Sequence, residues 1–415
     1  MSFGLAGGIV LARFSAEARP VAYLLRPFVA VVAIAAVIGA VSLIARRFDV
    51  LLAAGLTVAV LIPLSLWTLL VPLVALAVGL AVKIWDWITH LPRLVVAVSL
   101  FFFVGGLVPV VPRLFSMPPA GAAEPQSGVP IYLILLDGYP RADNLDDLGI
   151  DQSTFISDLI KRGFDVYPDA YSDYGWTYLT LTNMLTDGYD GPDGYRDADL
   201  RASLRQQWRL PDGFVTVAPP SGQSTIPGVR VLNPGGPTVF EEGLLRNSLF
   251  AYLPGASTFV ADGLRLQLDR SIETISTTDE PRVFAHLLAP HTPFLYDASG
   301  NPQPLPPCWP NCNPFDLDLD ALGMSLDDWA AGMEGNISFL NDRVIEMIDA
   351  TMDGHPDAAI VLFSDHGGRY DKPETAEWYE TLLAARTPHH PMMFSGDPRP
   401  GSIIQTFGNL GYWSE

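Results

Sequence analysis

The chain has 415 residues, a mass of 45.1 kDa, 49% hydrophobic residues and a mean hydropathy of +0.25, which excludes a disordered chain and is too apolar for an ordinary soluble protein. Its charge is divided unevenly: residues 1–115 carry 8 Lys+Arg and 3 Asp+Glu, a net charge of +5, whereas residues 116–415 carry 17 and 42, a net charge of −25. Because polyanions bind to clustered cations, the acidic part argues against a nucleic-acid-binding protein.

Three uncharged apolar runs lie in the N-terminal part, at residues 28–45, 50–82 and 94–112. Each is long enough to cross about 30 Å of hydrocarbon as a helix, which takes about 20 residues. A cleaved signal peptide would supply a single, shorter run. The run at residues 50–82 is longer than one membrane crossing requires and is barely long enough for two crossings and a turn. We therefore predict a transmembrane region at residues 1–113, with three or four helices in the lipid bilayer.

The position of the basic residues predicts the orientation of this region. Lys83 and Arg93 flank the loop before the last predicted helix, and the positive-inside rule places that loop in the cytoplasm. The acidic part then lies outside. Residues 114–128 are rich in Pro and Gly and predict a linker. We expect a multi-pass plasma (inner) membrane protein with an extracytoplasmic domain at residues 129–415.

The acidic part alternates between apolar runs typical of buried strands and segments with helical spacing. The predicted strands are at residues 131–136, 164–168, 281–288 and 358–363, and the predicted helices at residues 153–162 and 329–352. This alternation predicts an α/β domain with a mostly parallel central sheet. Residues 188–247 are rich in Pro, Gly and Asp, and we interpret them as loops with little regular structure.

Four candidate site residues follow these predicted strands, where chemistry is found in parallel sheets. Asp365 and His366 place a carboxylate beside an imidazole in a tight turn, which suits a divalent cation such as Zn²⁺ or Mn²⁺. Asp137 is a carboxylate in an equivalent position, and His291 follows another strand. A single aspartate at a strand end is more often a cap or a turn former. Only the four residues together indicate a functional site.

Four segments in this order resemble the membrane-anchored sulfatase-like branch of the alkaline phosphatase superfamily, which is similar to lipoteichoic acid synthases and lipid A phosphoethanolamine transferases. They are LILLDGYPRADNL, FISDLIKRGFDVYPDAYSDYGWTYLTLTNML, FAHLLAPHTPFLYDASG and IVLFSDHGG. The resemblance covers about residues 129–395. It implies that Asp137, Thr177, Asp365 and His366 bind one divalent metal ion, Mn²⁺ or Zn²⁺ with Mg²⁺ or Ca²⁺ as alternatives.

The resemblance also implies the catalytic residues. Thr177 matches the position of the nucleophile, and its hydroxyl needs a cation to lower its pKa. His291 lies in the position of the substrate-side histidine, where it would bind a phosphoryl oxygen or protonate the leaving group. Thr180 and Thr182 are competing hydroxyls, and the alternative for all three threonines is a place on the helix surface. His286, inside a predicted strand, is expected in the core.

The expected function is that of a membrane-anchored, metal-dependent phosphoesterase or phosphotransferase acting on an envelope lipid headgroup or polymer through a threonine nucleophile. The first alternative is a sulfatase-type hydrolase. It is disfavoured because the Cys- or Ser-x-Pro-x-Arg signature is missing around Thr177. The second alternative, from a different class, is a catalytically silent sulfatase-like module in envelope polysaccharide assembly.

Cys308 and Cys312 are the only two cysteines and lie in the sequence CWPNC of the predicted extracytoplasmic domain. Disulfides persist outside the cytoplasm. A zinc site is the alternative, but no histidine pair lies nearby to complete it. We therefore predict that the two cysteines are bonded to each other.

Overall fold

The computed structural model of the protein describes residues 128–186, 204–217, 226–232, 239–315, 319–370, 375–388 and 399. The predicted transmembrane helices lie outside these ranges. Within them, no helix combines the length and the apolar character that a membrane crossing requires. The chain divides into two compact units, a larger one of residues 118–237 and 257–415 and a smaller one of residues 1–117 and 238–256.

The larger unit contains a seven-stranded sheet with the strand order β2-β7-β6-β1-β5-β3-β4. The strands are β1 (Ile131–Leu136), β2 (Asp165–Val166), β3 (Val215–Val217), β4 (Arg230–Val231), β5 (Arg282–Leu287), β6 (Ala359–Phe363) and β7 (Leu383–Arg386). Strand β7 pairs antiparallel with both β2 and β6, and the other pairs of this sheet are parallel. The prediction of an α/β domain with a mostly parallel sheet is confirmed.

Helices and two short 3₁₀ turns also occur in the described part of the chain, and seven of the helices lie in it from end to end. The helices are α1 (Ala142–Asp147), α2 (Ser153–Lys161), α3 (Thr177–Leu185), α4 (Val239–Arg246), α5 (Ala256–Thr277), α6 (Leu319–Leu322) and α7 (Leu326–Gly354), and the 3₁₀ turns are Leu249–Tyr252 and Ala376–Trp378. Helix α4 and the first turn belong to the smaller unit. The other helices and the second 3₁₀ turn belong to the larger unit, and helix α5 belongs to it from Ser257 onward.

Strand β1 lies at the centre of the sheet, and all six of its side chains are buried. Ile131, Leu133 and Leu135 belong to one apolar cluster with side chains of α3, among them Leu181. Burying one such side chain stabilises a fold by about 1.5–3 kcal/mol. This burial on both faces explains why β1 is a continuous apolar run in the sequence rather than an alternating one.

The register of the central strands places their carboxyl ends together. Leu136 of β1 pairs with Leu287 of β5, and Leu135 pairs with Phe363 of β6. The three parallel strands therefore end at the same level. The loops that follow them carry the predicted site residues and meet at this edge of the sheet.

The structure corrects the interpretation of residues 188–247 as loops. Strands β3 and β4 and helix α4 form within this segment. Val215–Val217 is a short run of β-forming residues that pairs with β5, so tertiary pairing overrides the Pro- and Gly-rich composition. The strand predicted at residues 164–168 is only two residues long. It lies at the edge of the sheet, where it pairs with β7.

The predicted disulfide is confirmed. Cys308 and Cys312 are bonded to each other in the loop between β5 and α6.

Candidate metal and catalytic site

Hydrogen bonds between the loops after β1, β5 and β6 hold the site together. The backbone N–H of Asp137 donates to the carbonyl of Leu287 at 2.9 Å, and the N–H of His291 donates to the carbonyl of Asp137 at 3.0 Å. The N–H of Gly138 donates to Oδ1 of Asp365 at 3.1 Å. Backbone groups thus fix the candidate residues, which come from three distant parts of the sequence.

Gly138 is required for this close approach. Its φ is +69°, a conformation that L-residues rarely adopt. A Cβ atom at this position would lie 3.0 Å from Cε1 of His366 and 3.4 Å from Cδ2 of His291. The glycine after Asp137 therefore leaves room for both imidazole rings.

Asp137, His291 and His366 lie together and could hold a metal ion, and we call these three residues the metal-binding cluster. Each offers one ligand atom, and these atoms all lie within 4.8 Å of one another. His366 is completely buried, and Asp137 is 2% exposed. The rings of His291 and His366 meet edge to face, with centroids 5.6 Å apart. The sequence therefore brings a carboxylate and two imidazoles into a space of the size of one cation site.

The hydrogen bonds of the two histidines leave their Nε2 atoms as electron-pair donors. Nδ1 of His366 lies 2.8 Å from the carbonyl oxygen of Gly367, and Nδ1 of His291 lies 2.8 Å from that of Thr292. In the neutral rings the protons are therefore on Nδ1, and the lone pairs are on Nε2. Nε2 of His366 lies 3.3 Å from Oδ1 of Asp137. Two electron-rich atoms at this distance favour a cation between them.

The two carboxylates support the same conclusion. Oδ2 of Asp137 accepts a hydrogen bond from Nε2 of His286 at 2.8 Å. Among the described residues, Oδ1 of Asp137 and Oδ2 of Asp365 are buried and have no hydrogen-bond partner. A buried charged oxygen without a partner is costly, and a bound cation removes that cost. The oxygen and imidazole donors together fit a divalent metal ion such as Zn²⁺ or Mn²⁺.

The ionisation of the cluster suits metal binding. Burial by itself raises the pKa of Asp137, but the interaction with His291 and the hydrogen bond from His286 outweigh it and hold the pKa well below its usual range. Burial lowers the pKa of His291 against the attraction of Asp137, and the positive charge of Arg369 lowers it further. Asp137 is therefore an anion and His291 a neutral ring at neutral pH.

The structure brings three of the four predicted ligands together. Asp137, Asp365 and His366 meet, with Oδ2 of Asp365 lying 3.6 Å from Nε2 of His366. His291, predicted on the substrate side, lies within the cluster itself. Thr177 is buried at the first position of α3. Its assignment as a ligand and nucleophile stays a prediction.

The first turn of α3 lies against the loop after β6. Oγ1 of Thr180 donates to the carbonyl of Asp365 at 2.8 Å, and the carbonyl of Gly175 accepts from Nη1 of Arg369 at 2.8 Å. Thr177 lies between these two contacts in the sequence. The proposed nucleophile is therefore on the segment that packs against the site.

The competing threonines are buried and do not lie on the helix surface. Thr180 bonds the loop after β6, as described above, and its Oγ1 also lies 2.9 Å from Oγ of Ser172. Oγ1 of Thr182 donates to the carbonyl of Tyr178 and accepts from Nε1 of Trp208 at 3.1 Å. Both hydroxyls are therefore engaged in bonds that hold the structure.

Sequence reasoning missed two residues of the site. His286 is completely buried, as predicted, but it also bonds the carboxylate of Asp137. The signal for it was a titratable residue inside an apolar strand. Arg369 contacts both imidazoles of the cluster, with Nη2 2.8 Å from Nε2 of His366. Its signal was an arginine three residues after His366 in the segment DHGGR.

No protein-family model and no curated protein matches the chain. Similar solved structures include the C-terminal periplasmic domain of EcEptC from Escherichia coli, at 16% identity over 71% of this chain and 86% of that chain, with a TM-score of 0.40. Phosphonate monoester hydrolase of Agrobacterium radiobacter is 15% identical over 68% of this chain and 73% of that chain, with a TM-score of 0.42.

A further similar structure is the integral membrane protein lipooligosaccharide phosphoethanolamine transferase A (EptA) from Neisseria meningitidis. It is 14% identical over 82% of this chain and 67% of that chain, with a TM-score of 0.41. The structural neighbours of the chain thus include phosphoethanolamine transferases, which its sequence motifs also resemble.

Proposed function

We propose that the protein is a metal-dependent phosphoesterase or phosphotransferase with Thr177 as its nucleophile. The observation that carries the proposal is the meeting of Asp137, His291 and His366 at the carboxyl edge of the parallel sheet, with ligand atoms within 4.8 Å of one another. The unpartnered carboxylate oxygens of Asp137 and Asp365 in the described site support it.

The residues of the site divide into ligands and groups that orient them. Asp137, Asp365 and His366 would hold the cation, together with the hydroxyl of Thr177. A cation at this place lowers the pKa of a hydroxyl and offsets the charge of phosphoryl oxygens. The carbonyl of Gly367 fixes the tautomer of His366, which leaves the lone pair on Nε2 to bind the cation.

In the proposed reaction, the hydroxyl oxygen of Thr177 attacks phosphorus and loses its proton. The P–O bond to the alcohol of the ester breaks, and that alcohol takes up a proton as it leaves. The result is a covalent phosphothreonine. Attack by water or by a sugar or lipid hydroxyl then breaks the P–O bond to Thr177, and the attacking hydroxyl loses a proton as the threonine oxygen takes one up. Water gives hydrolysis, and the other hydroxyls give transfer to an envelope component. Both outcomes share the first step.

We assign His291 a direct contact with the cation or with the transferred phosphoryl group, because its Nε2 faces the same space as the other ligand atoms. Its lowered pKa favours an electron-pair donor over a general acid at neutral pH. Metal binding by His291→Gln separates the two assignments. A ligand variant binds the metal more weakly, and a substrate-contact variant binds it as the wild type does.

We further propose that the substrate is a lipid-linked or polymeric phosphoester of the cell envelope, met on the extracytoplasmic side of the membrane. The predicted transmembrane region would keep the site near the bilayer. The disulfide between Cys308 and Cys312 supports an oxidising compartment for the larger unit. Residues 116–415 carry a net charge of −25 and repel anionic esters, so the cation is also needed to attract them.

The test is turnover of a chromogenic phosphodiester by the purified full chain, stripped of metal and reloaded with Mn²⁺ or Zn²⁺. Thr177→Ala is expected to abolish turnover, because the attacking oxygen is gone. Removal of the metal with a chelator is expected to reduce turnover as much as Thr177→Ala does, since the hydroxyl and the cation act as one unit. The matched control is Thr274→Ala, which removes an exposed hydroxyl of α5 and is expected to leave turnover unchanged.

Three outcomes would contradict the proposal. Undiminished turnover by Thr177→Ala would exclude this threonine as the nucleophile. Turnover of a chromogenic sulfate ester in preference to the phosphodiester would favour the sulfatase alternative. A wild-type chain without bound metal and without turnover of either ester would favour the catalytically silent module.

A further inference from the structure

The guanidinium of Arg369 lies against the metal-binding cluster. Nη2 of Arg369 is 2.8 Å from Nε2 of His366 and 3.4 Å from Nε2 of His291. The residue is only 5% exposed. These two ring nitrogens are the ones that carry the lone pairs, so the guanidinium uses the electron pairs that a cation would also use.

Other contacts fix the guanidinium at this place. Nη1 donates to the carbonyl of Gly175 at 2.8 Å, and Cζ lies 4.6 Å from the ring centroid of Trp176 and 5.6 Å from that of Trp378. The φ of Arg369 is 51°, the one positive φ of a non-glycine residue in the described part of the chain. Such backbone strain persists where surrounding contacts impose it, and it is concentrated at functional sites.

Metal binding changes what this guanidinium contacts. Nη2 of Arg369 now donates to the lone pair of His366 that would hold a divalent cation. With a cation bound, Arg369 would lose that acceptor and lie beside a second positive charge. An anion between the two positive groups would remove the repulsion and supply a new acceptor.

We propose that Arg369 binds the anionic phosphoryl group of the substrate in the metal-loaded protein. The inference rests on the function proposed above and adds the residue that selects for a charged ester. A guanidinium presents donors in a planar fork that matches two oxygens of one phosphoryl group.

The charges of the site name the substrate class. Arg369 adds a permanent positive charge beside the space in which a divalent cation would lie, 2.8 Å from His366. An anionic phosphoester would complement both positive charges, and an uncharged ester would not. The site therefore selects phosphodiesters over uncharged esters of similar size.

The test measures phosphate binding apart from turnover. Inorganic phosphate is titrated calorimetrically into the purified full chain loaded with Mn²⁺, and the metal content of each variant is measured separately. Arg369→Gln is expected to keep its metal and to bind phosphate about 10- to 100-fold more weakly, as for the loss of hydrogen bonds to a charged group. Arg369→Lys keeps the positive charge but lacks the planar set of donors. Its affinity for phosphate is expected to lie between those of the wild type and Arg369→Gln.

The matched control is Arg343→Gln, which changes the net charge of the chain equally. Arg343 lies on α7 and pairs with Glu346 at the protein surface. This variant is expected to bind phosphate as the wild type does. An equal loss of phosphate affinity in Arg343→Gln and Arg369→Gln would mean that only the net charge of the chain matters, and it would overturn the proposal.

The remaining outcomes are equally decisive. Wild-type phosphate affinity in a metal-loaded Arg369→Gln overturns the proposal. Loss of bound metal in both Arg369 variants also overturns it, because Arg369 would then be a structural residue. A wild-type chain that binds phosphate through Arg369 but turns over no ester contradicts the proposed function alone. Turnover with an unchanged KM in Arg369→Gln contradicts this inference alone.

Discussion

His286 orients the carboxylate of Asp137 from behind the metal-binding cluster. It is completely buried on β5, and its Nε2 lies 2.8 Å from Oδ2 of Asp137. This bond leaves Oδ1 of Asp137 directed at His366. Groups that hydrogen-bond a metal ligand set its orientation and its basicity.

We predict that His286→Leu lowers the affinity for the metal by about 10- to 100-fold, the range typical for loss of such a partner. His286→Gln keeps a donor near the carboxylate and is expected to recover part of the affinity. Metal binding is measured by equilibrium dialysis of the full chain against Mn²⁺ or Zn²⁺. Equal affinities in the wild type and both variants would show that His286 is only a packing residue.

The sequence made some site residues predictable and hid others. Asp137 directly follows an apolar run, and Asp365 and His366 follow another one after Ser364, so the end of a buried strand marks them. His286 lies inside such a run, where only the folded register reveals its partner 149 residues away. Arg369 was visible in the segment DHGGR, but its contacts depend on a positive φ and on two tryptophan rings, which the local sequence does not indicate.

Helix α7 supports the loop that carries His291. Oδ1 of Asn336 accepts hydrogen bonds from the N–H groups of Leu295 at 2.8 Å and Tyr296 at 3.1 Å, and its Nδ2 donates to the carbonyl of Pro290 at 3.2 Å. These bonds join the helix to the chain on both sides of His291. The position of this ring is therefore coupled to the packing of α7.

Gly335 allows the helix to approach this loop, and we predict that Gly335→Ala destabilises the larger unit. A Cβ atom there would lie 2.6 Å from the carbonyl oxygen of Tyr296 and 2.8 Å from Cα of Asp297, both backbone atoms. Overpacking of this kind costs about 1–3 kcal/mol and exceeds the gain of about 1 kcal/mol in helix propensity. The free energy of unfolding is measured by chemical denaturation.

The control for this prediction is Gly354→Ala at the end of the same helix. No heavy atom lies within 4 Å of a Cβ atom built at Gly354. We expect this variant to be as stable as the wild type or slightly more stable. Similar stabilities of the two alanine variants would mean that the loop after β5 yields to the added methyl group.

Elements with long apolar or periodic patterns were predictable, and short ones were not. Strands β1, β5 and β6 and helices α2 and α7 lie where the sequence predicts them, within a few residues. Strands β3 and β4, of three and two residues, gain their hydrogen bonds from neighbours and have no pattern of their own. The edge position of β2 follows from its pairing with β7 and not from its sequence.

The redox state of the chain tests the orientation of the whole molecule. Cys308 and Cys312 are bonded to each other, and the domain that contains them is predicted outside the cytoplasm. We predict that protein purified from membranes resists alkylation at both cysteines until it is reduced. Intact mass before and after reduction measures this. Two alkylated cysteines in the unreduced protein would contradict both the bond and the orientation.

The pairing of β1 also governs the order in which the chain becomes stable during its synthesis. Ile131 pairs with Arg282 and with Ala359, the latter 228 residues downstream. At about 5–20 residues per second, a ribosome needs roughly 10 to 50 seconds to supply the second partner. During this interval the strand IYLILL lacks its partner β6, and an exposed apolar strand is prone to aggregate. The arrangement that brings the site residues together thus also leaves this segment without one of its neighbours until β6 has been made.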